Sequence, residues 1–255
     1  MDFTASISGF GVGAIVGMTG VGGGSLMTPL LLSVYKLNPA VAIGTDLWFA
    51  AITKTAGSVS HHQSGHVTWR IAALLMAGSL PAAVGTLAVM HSAGAIKGGA
   101  SLLTFSLGVA LLLTAVVVAY QKSWHAVGLR LERWITPSRQ PALTVTCGAL
   151  LGVLVSVSSI GAGAIGATLI MLLYPRLAAH RVVGTDIAHA VPLTLVAGIG
   201  YAALGHVVWE LLGALLLGSI PGIWLGAQLT RVLPERWVRG LLCAALVTAG
   251  LKVIH

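Results

Sequence analysis

Charge is what this sequence most lacks. Asp, Glu, Lys and Arg make up 8% of its 255 residues, and only six residues are acidic. A water-soluble domain of this length needs far more charge on its surface, so that class is excluded. Cysteine is nearly absent as well. Cys147 and Cys243 both lie in apolar stretches, which excludes a disulfide framework and a zinc knuckle and leaves each a buried structural role. There is no nucleophile elbow, phosphate loop, metal motif or pair of catalytic carboxylates, and Glu132, Glu210 and Glu235 all sit near the ends of apolar segments. The chain is therefore read as a non-enzyme that needs no cofactor. Long polar stretches are missing too. Only 121–140 qualifies, so no separate soluble domain fits. Nothing at the N-terminus resembles the charged n-region of a cleavable signal peptide, and the first apolar segment is expected to be retained.

What fills the chain is hydrophobic sequence, 56% of residues, with a mean hydropathy of +0.95. About 20 apolar residues of helix cross a bilayer, and runs of that order recur along the whole length. Eight segments are predicted, at 3–35, 40–60, 69–90, 98–120, 142–174, 182–204, 209–229 and 237–253. The expected fold class is an all-α polytopic membrane protein with the lipid bilayer as its surroundings. Trp69, Trp124, Trp134, Trp209 and Trp237 fall at or near segment ends, as an interfacial aromatic belt requires. The net charge of +8 is scattered over segment ends, where it sets topology and meets anionic head groups. It forms no nucleic-acid surface.

The segments are two copies of a four-segment unit. Gly148 and Gly152 repeat Gly9 and Gly13, and Gly161-Ala162-Gly163 falls on Gly22-Gly23-Gly24, at an offset of 139 residues. At an offset of 140, Gly184-Thr185-Asp186 repeats Gly44-Thr45-Asp46. Gly205-His206-Val207 with Trp209 repeats Gly65-His66-Val67 with Trp69, and Gly218-Ser219-Ile220-Pro221 repeats Gly78-Ser79-Leu80-Pro81. Motifs recurring in one order and nearly one register mark a duplication. The expected organisation is a first transmembrane repeat at 1–120, a linker at 121–140 and a second repeat at 141–255.

Counting Lys and Arg on each side tests the orientation of the copies. If each broken first segment crosses once, the loops divide seven against six, with no bias. If each is a re-entrant hairpin, Arg70, Lys122, Arg130, Arg133, Arg139, Arg176, Arg181, Arg231, Arg236 and Arg239 share one side, and only Lys36, Lys97 and Lys252 the other. The positive-inside rule then puts the linker in the cytoplasm, both termini outside, and the halves in inverted orientation. The arms of the first broken segment hold about 16 and 11 residues, roughly 24 and 16 Å at helical rise. Such lengths suit half-helices meeting near the midplane, and also one broken crossing.

The break itself, Gly20-Val21-Gly22-Gly23-Gly24, is the first candidate site. Glycine costs a helix interior roughly 1 kcal/mol per residue, so a contiguous run marks a stop. The helix that resumes, with Ser25 as candidate N-cap, offers unpaired N–H groups and a partial positive charge to an anion. Its counterpart is Ser156-Val157-Ser158-Ser159-Ile160-Gly161-Ala162-Gly163, whose hydroxyls either donate to an anion or satisfy the broken backbone. Gly9, Gly13 and Gly17, four apart, fit a helix-packing face instead.

Lys54 is the one Lys or Arg well inside a spanning segment, and a charge at that depth is functional by default. Its plainer roles are to pair with Asp46 or to snorkel, although eight residues amount to about 12 Å of rise. Thr194 holds the matching position. Asp46 and Asp186 are candidates for proton or cation coupling, or for anchoring the opposing break. Their plainer role is that of first-turn acids, with Thr45 and Thr185 as caps. His189, three residues after Asp186, is a candidate proton relay. His61, His62 and His66 read as a polar interfacial loop rather than a metal site.

The run GVGAIVGMTGVGGGSLMTPLLL, the repeated Gly-Thr-Asp and the Gly-Ser-x-Pro echoes resemble the TauE/SafE family of membrane transporters, the sulfite exporter family, over essentially the whole chain. The second copy is looser, with Ser156 and Ser159 where Gly17 and Gly20 stand. The resemblance implies passage of small sulfur-containing anions, such as sulfite, sulfoacetate or related organosulfonates, across the bacterial inner membrane. The expected protein is then a secondary transporter, an exporter, working by alternating access around two opposed breaks. Its substrate residues are Gly22, Gly23, Gly24, Ser25, Lys54, Ser158, Ser159, Gly161 and Gly163; its coupling candidates are Asp46, Asp186 and His189, serving a proton or cation. The alternatives are an anion channel with the same site and a non-catalytic membrane subunit of a larger complex. A homodimer is compatible with this reading.

Overall fold

The computed structural model describes residues 3–19, 24–94, 100–229 and 235–254. These residues form eleven helices and no strands: α1 (Phe3–Thr19), α2 (Gly24–Ser33), α3 (Pro39–Gln63), α4 (Trp69–Ser92), α5 (Ala100–Ala119), α6 (Gln121–Leu131), α7 (Gln140–Ser158), α8 (Ala164–Leu173), α9 (Ala179–Ala203), α10 (Trp209–Leu229) and α11 (Glu235–Ile254). α4, α7, α9 and the Trp209–Gly226 stretch of α10 are each long and apolar enough to cross a membrane, and α5 with α6, bent by 88°, makes a fifth if the pair is one span. Phe3–Met18, Ala164–Leu173 and Leu242–Val253 are apolar but shorter. α3 is as long as α9 but less apolar.

The distribution of side chains fits a bilayer. Phe10, Val84, Val109, Leu113, Val116, Leu150, Leu217 and Trp224 are exposed, while Asp46, Lys54, Asp186, His189 and many hydroxyls are buried. In hydrocarbon the polar groups must be satisfied inside the protein, and the apolar ones can face outward. The chain is a multi-pass membrane protein. The 121–140 linker is not plain loop, since α6 opens it. Trp124, Val127 and Leu131 recur there at helical spacing, and Gly128 packs against Met171 and Pro175 of the α8 region.

The starts of α3 and α9 correct one expectation. Asn38 caps α3, its side chain accepting from the Ala40 N–H at 3.1 Å, with Pro39 as the first helical residue. α9 begins at Ala179. Asp46 and Asp186 therefore lie seven residues, about 10 Å, into their helices. They are not first-turn acids, and Thr45 and Thr185 are not caps. These threonines instead receive loops from the opposite copy: Thr185 Oγ1 accepts from the Thr68 N–H at 2.9 Å, and Thr45 Oγ1 from the Val208 N–H at 3.2 Å. The recurrence of Gly-Thr-Asp and Gly-His-Val is explained by each motif docking on the other.

The long helices pair across the copies. α1 lies along α10, and α4 along α7. A Cβ on Gly9 or Gly13 would stand within 3.0 Å of the Leu215 or Ser219 backbone, and one on Gly148 or Gly152 within 3.0 Å of the Leu75 or Ser79 backbone. This is one contact made twice, and it makes Gly9 and Gly13 close-packing glycines. Contact numbers rise together in both pairs, so each pair is parallel. In α3 and α9 they run oppositely: Trp48 Nε1 donates to the Gly198 carbonyl at 3.0 Å, Gly57 faces Ile187, and the α3–α4 loop meets Thr185. These two helices are antiparallel. α5 packs on α11 through Leu107, Leu111, Leu242 and Leu246. Exchanging the copies turns α1·α10 into α7·α4 and returns α3·α9 and α5·α11 to themselves.

Candidate functional site

α7 stops at Ser158 and α8 starts at Ala164 because the backbone between them leaves the helical region. Ser159 has φ 59°, Gly161 φ 119° and Gly163 φ 142°, conformations that glycine adopts without a Cβ penalty. Ser158 ties the break together. Its Oγ donates to the Leu154 carbonyl at 2.7 Å and accepts from the Ile160 N–H at 3.2 Å. Of the two roles open to these hydroxyls, Ser158 is committed to the backbone. Ser156 and Ser159 are different: both are buried, the Ser159 hydroxyl lies against the Asp46 carboxyl, and the Ser156 hydroxyl has no hydrogen-bond partner among the described residues.

In the first copy, Gly22 and Gly23 lie outside the described residues. Gly24 and Ser25 are the first two residues of α2, so Ser25 stands inside the first turn rather than ahead of it as an N-cap.

Lys54 comes from the middle of α3 and is 7% exposed. Its ammonium donates to the carbonyl of Ala162, inside the break of the other copy. It neither snorkels nor hydrogen-bonds Asp46. An ammonium carries three N–H groups, and both Asp186 and Asp46 lie within electrostatic reach of it. The charge is thus carried from α3 onto the α7–α8 break.

Each aspartate is set against the short helix of its own copy. Asp46 Oδ2 accepts from the Thr28 hydroxyl of α2, and the Ser159 hydroxyl of the opposing break lies nearby. Asp186 Oδ1 sits against Gly166 of α8, in space a Cβ there would fill. Asp46 Oδ1 and Asp186 Oδ1 are buried without a hydrogen-bond partner among the described residues. His189 is fully buried, with Nε2 2.9 Å from the Ser79 hydroxyl of α4 and Nδ1 without a partner among the described residues.

The cluster is asymmetric although the scaffold is not. Thr194 stands where Lys54 does in the other copy, and its hydroxyl bonds to the Ala190 carbonyl of its own helix at 2.9 Å. Phe49 stands where His189 does. Sequence reasoning missed Thr28 and Ser79 as partners of this cluster. The available signal was a hydroxyl inside an apolar segment, which several other residues share. Two surface cavities, of about 670 Å³ beside Tyr35, Trp209 and Glu210 and about 240 Å³ between α6 and α8, lie away from the cluster. The His61, His66 and His180 rings approach with centroids 5.6 and 4.6 Å apart. Among the described residues, no group of three or more His, Cys, Asp or Glu is placed to hold a metal.

Chemically, the cluster joins one cation, two carboxylates, one imidazole and unengaged hydroxyls in a site closed to solvent. Groups of these types can take up and release protons.

Comparison with known proteins covers nearly the whole chain. The family model described as Sulfite exporter TauE/SafE matches residues 5–253. "Probable membrane transporter protein YjnA" of Bacillus subtilis (strain 168) is 35% identical over 263 residues, spanning 100% of both chains. "Probable membrane transporter protein YdhB" of the same strain is 27% identical over 248 residues, 96% of this chain and 97% of that one. A "Probable membrane transporter protein" of Xylella fastidiosa (strain Temecula1 / ATCC 700964) is 30% identical over 224 residues, 87% of this chain and 82% of that one. No solved structure matches the chain.

Proposed function

From the premise that this chain belongs to the TauE/SafE sulfite exporter family and is a membrane transporter, we propose that it carries small sulfur-containing anions across a bacterial inner membrane. The observation that carries the proposal is Lys54. It is a cation held inside the protein, with its ammonium on the Ala162 carbonyl of the α7–α8 break, the segment that also carries the buried Ser156 and Ser159 hydroxyls. Sulfite and sulfonates present three oxygens. The remaining lysine N–H groups, the two hydroxyls and the free N–H groups at the start of α8 are donors for them. Gly161 and Gly163 keep the backbone open there, and Gly22, Gly23, Gly24 and Ser25 are assigned the facing half of the site.

The two copies are proposed to be inverted repeats. The antiparallel run of α3 and α9 supports this. If α4 and α5 each cross once, the chain returns to the side where α3 ended. α9 starts on that side, so α7 and α8 together leave and come back. Hairpins of this kind produce the ten-to-three division of Lys and Arg, with the linker cytoplasmic and the termini outside. The closed cluster then corresponds to an occluded state of an alternating-access cycle, in which the α1·α10 and α4·α7 pairs rock about α3 and α9.

Flux of labelled sulfite, thiosulfate and methanesulfonate into proteoliposomes tests the site. Lys54→Ala is expected to lower anion flux by about tenfold or more, as losing a charged hydrogen bond worth about 1.5–3 kcal/mol would. Its elution profile should match wild type, with thermal unfolding lowered by the loss of the bond to Ala162 but still cooperative. Wild-type flux in that variant would remove Lys54 from the mechanism. The substrate class is tested by thermal stabilisation, about 2.7 kcal/mol at 100 times Kd. The absence of any shift with sulfite, sulfate, thiosulfate and C2 sulfonates would overturn it.

A further inference from the structure

We infer that the proton is a second substrate of this protein, taken up with the anion at the rate of one proton per negative charge and held by Asp46 and Asp186. The inference rests on the reading that the Lys54 cluster binds an anion.

The ionisable groups inside the spanning region are few. Asp46 and Lys54 lie on α3, and Asp186 and His189 on α9. The other elements packed around them add hydroxyls but no charge at that depth: Thr28 from α2, Ser79 from α4 and Ser159 from the break. α1, α2, α5, α7 and α8 contain no Asp, Glu, Lys, Arg or His at all, α4 carries Arg70 and His91 only toward its ends, and α10 carries Glu210 only in its first turn.

The sum of charges then constrains what can bind. With both carboxylates ionised and Lys54 charged, the site holds a net charge of −1 before any substrate arrives. A monoanion would raise this to −2 in a closed, low-dielectric space, where like charges repel strongly and each buried charge also loses its hydration. The loaded site is neutral when both carboxyls carry protons and the lysine balances the anion. The empty site is neutral when one of the two carboxyls carries a proton. Loading a monoanion therefore brings in one proton, and unloading releases it. A dianion needs a second proton, for which His189 is the remaining group.

The hydrogen bonding agrees with this count. A buried ionised carboxylate ordinarily collects several donors. Asp46 has Thr28 on Oδ2 and the Ser159 hydroxyl against its carboxyl, whereas Asp186 Oδ1 has no partner among the described residues. A protonated carboxyl is also a donor. In the loaded site both carboxyls carry protons, so each aspartate has an O–H to offer the oxygens of the anion, next to Ser159 for Asp46 and at the start of α8 for Asp186.

The test uses the purified full chain in proteoliposomes with a luminal pH dye, equal pH on both sides, and the voltage clamped with potassium and valinomycin. Methanesulfonate is the probe, because as the anion of a strong acid it has no neutral form to leak through lipid. An inward methanesulfonate gradient is expected to acidify the lumen by about one proton per anion, as the neutrality of a buried site requires. Thiosulfate should move about two, by the same argument. The double variant Asp46→Asn/Asp186→Asn should lose this ratio, at least about fivefold on whatever flux remains, because neither amide can take up a proton. Anion uptake at the wild-type rate without proton movement overturns the coupling and leaves the anion reading standing. A double variant that keeps the wild-type ratio overturns the assignment to the aspartates. If sulfite, thiosulfate and methanesulfonate all fail to enter, the anion reading falls and the coupling falls with it.

Discussion

Gly78 and Gly85 stand seven residues apart on α4 and serve different ends. A Cβ on Gly78 would lie within 3.0 Å of the Val145 and Ala149 backbone of α7, whereas one on Gly85 would meet nothing within 4 Å. Gly78→Ala must push α7 away or distort it, and is expected to cost about 1–3 kcal/mol, the usual range for overpacking. Gly85→Ala fills open space and improves helix propensity, so it should be neutral or stabilising by up to about 1 kcal/mol. Denaturant unfolding of the two variants in detergent checks the pair, and equal losses would show that close approach is not what Gly78 provides. At this scale Lys54 was legible from the sequence, because a charge among apolar residues announces itself. Gly9 and Gly13 were legible as packing residues from their four-residue spacing. Thr28 and Ser79 were not. A hydroxyl that bonds its own helix, as Thr194 does, looks the same in the sequence as one that meets a neighbouring helix.

Among the elements, the break between α7 and α8 depends on backbone more than on side chains. Lys54 binds a main-chain carbonyl, that of Ala162, and the shape that presents it rests on Gly161 and Gly163 with φ of 119° and 142°. Alanine at Gly163 would be held in a sparsely populated conformation, at a cost of about 1–3 kcal/mol. Gly163→Ala is therefore expected to lower thermal stability and to reduce anion-induced stabilisation together, and a variant with both unchanged would mean that the break tolerates ordinary backbone geometry. The element boundaries show where sequence reading holds and where it fails. The eight apolar segments reappear as described helices or helix pairs because hydropathy alone marks them. The predicted caps fail, since Gly-Thr-Asp looks like a helix start while Asn38-Pro39 begins α3 two turns earlier. α6 was hidden because a short amphipathic helix in a charged stretch reads as polar linker. The orientation of each long helix was also out of reach. Segments that are apolar all round carry no periodic signal for the face turned inward.

At the scale of the whole molecule, the two copies make the same helix contacts but carry different charges. Arg70 and Glu210 occupy equivalent places, each following the tryptophan of a Gly-His-Val-x-Trp motif, and both are exposed at the start of a long helix. In parallel repeats they would face the same compartment, and nothing would explain why one is basic and the other acidic. In inverted repeats Arg70 lies on the cytoplasmic side and Glu210 opposite, as the positive-inside bias asks. The antiparallel contact of α3 with α9, made at both ends through Thr45 and Thr185, requires the same arrangement once α4 and α5 are each taken as one crossing. Single cysteines at Arg70 and Glu210, in a chain with Cys147 and Cys243 replaced, separate the two cases. A membrane-impermeant thiol reagent added to intact cells is expected to label Glu210→Cys at once and Arg70→Cys only after permeabilisation. Labelling of both from the same side would remove the inverted arrangement, and with it the placing of two opposed breaks around a single central site.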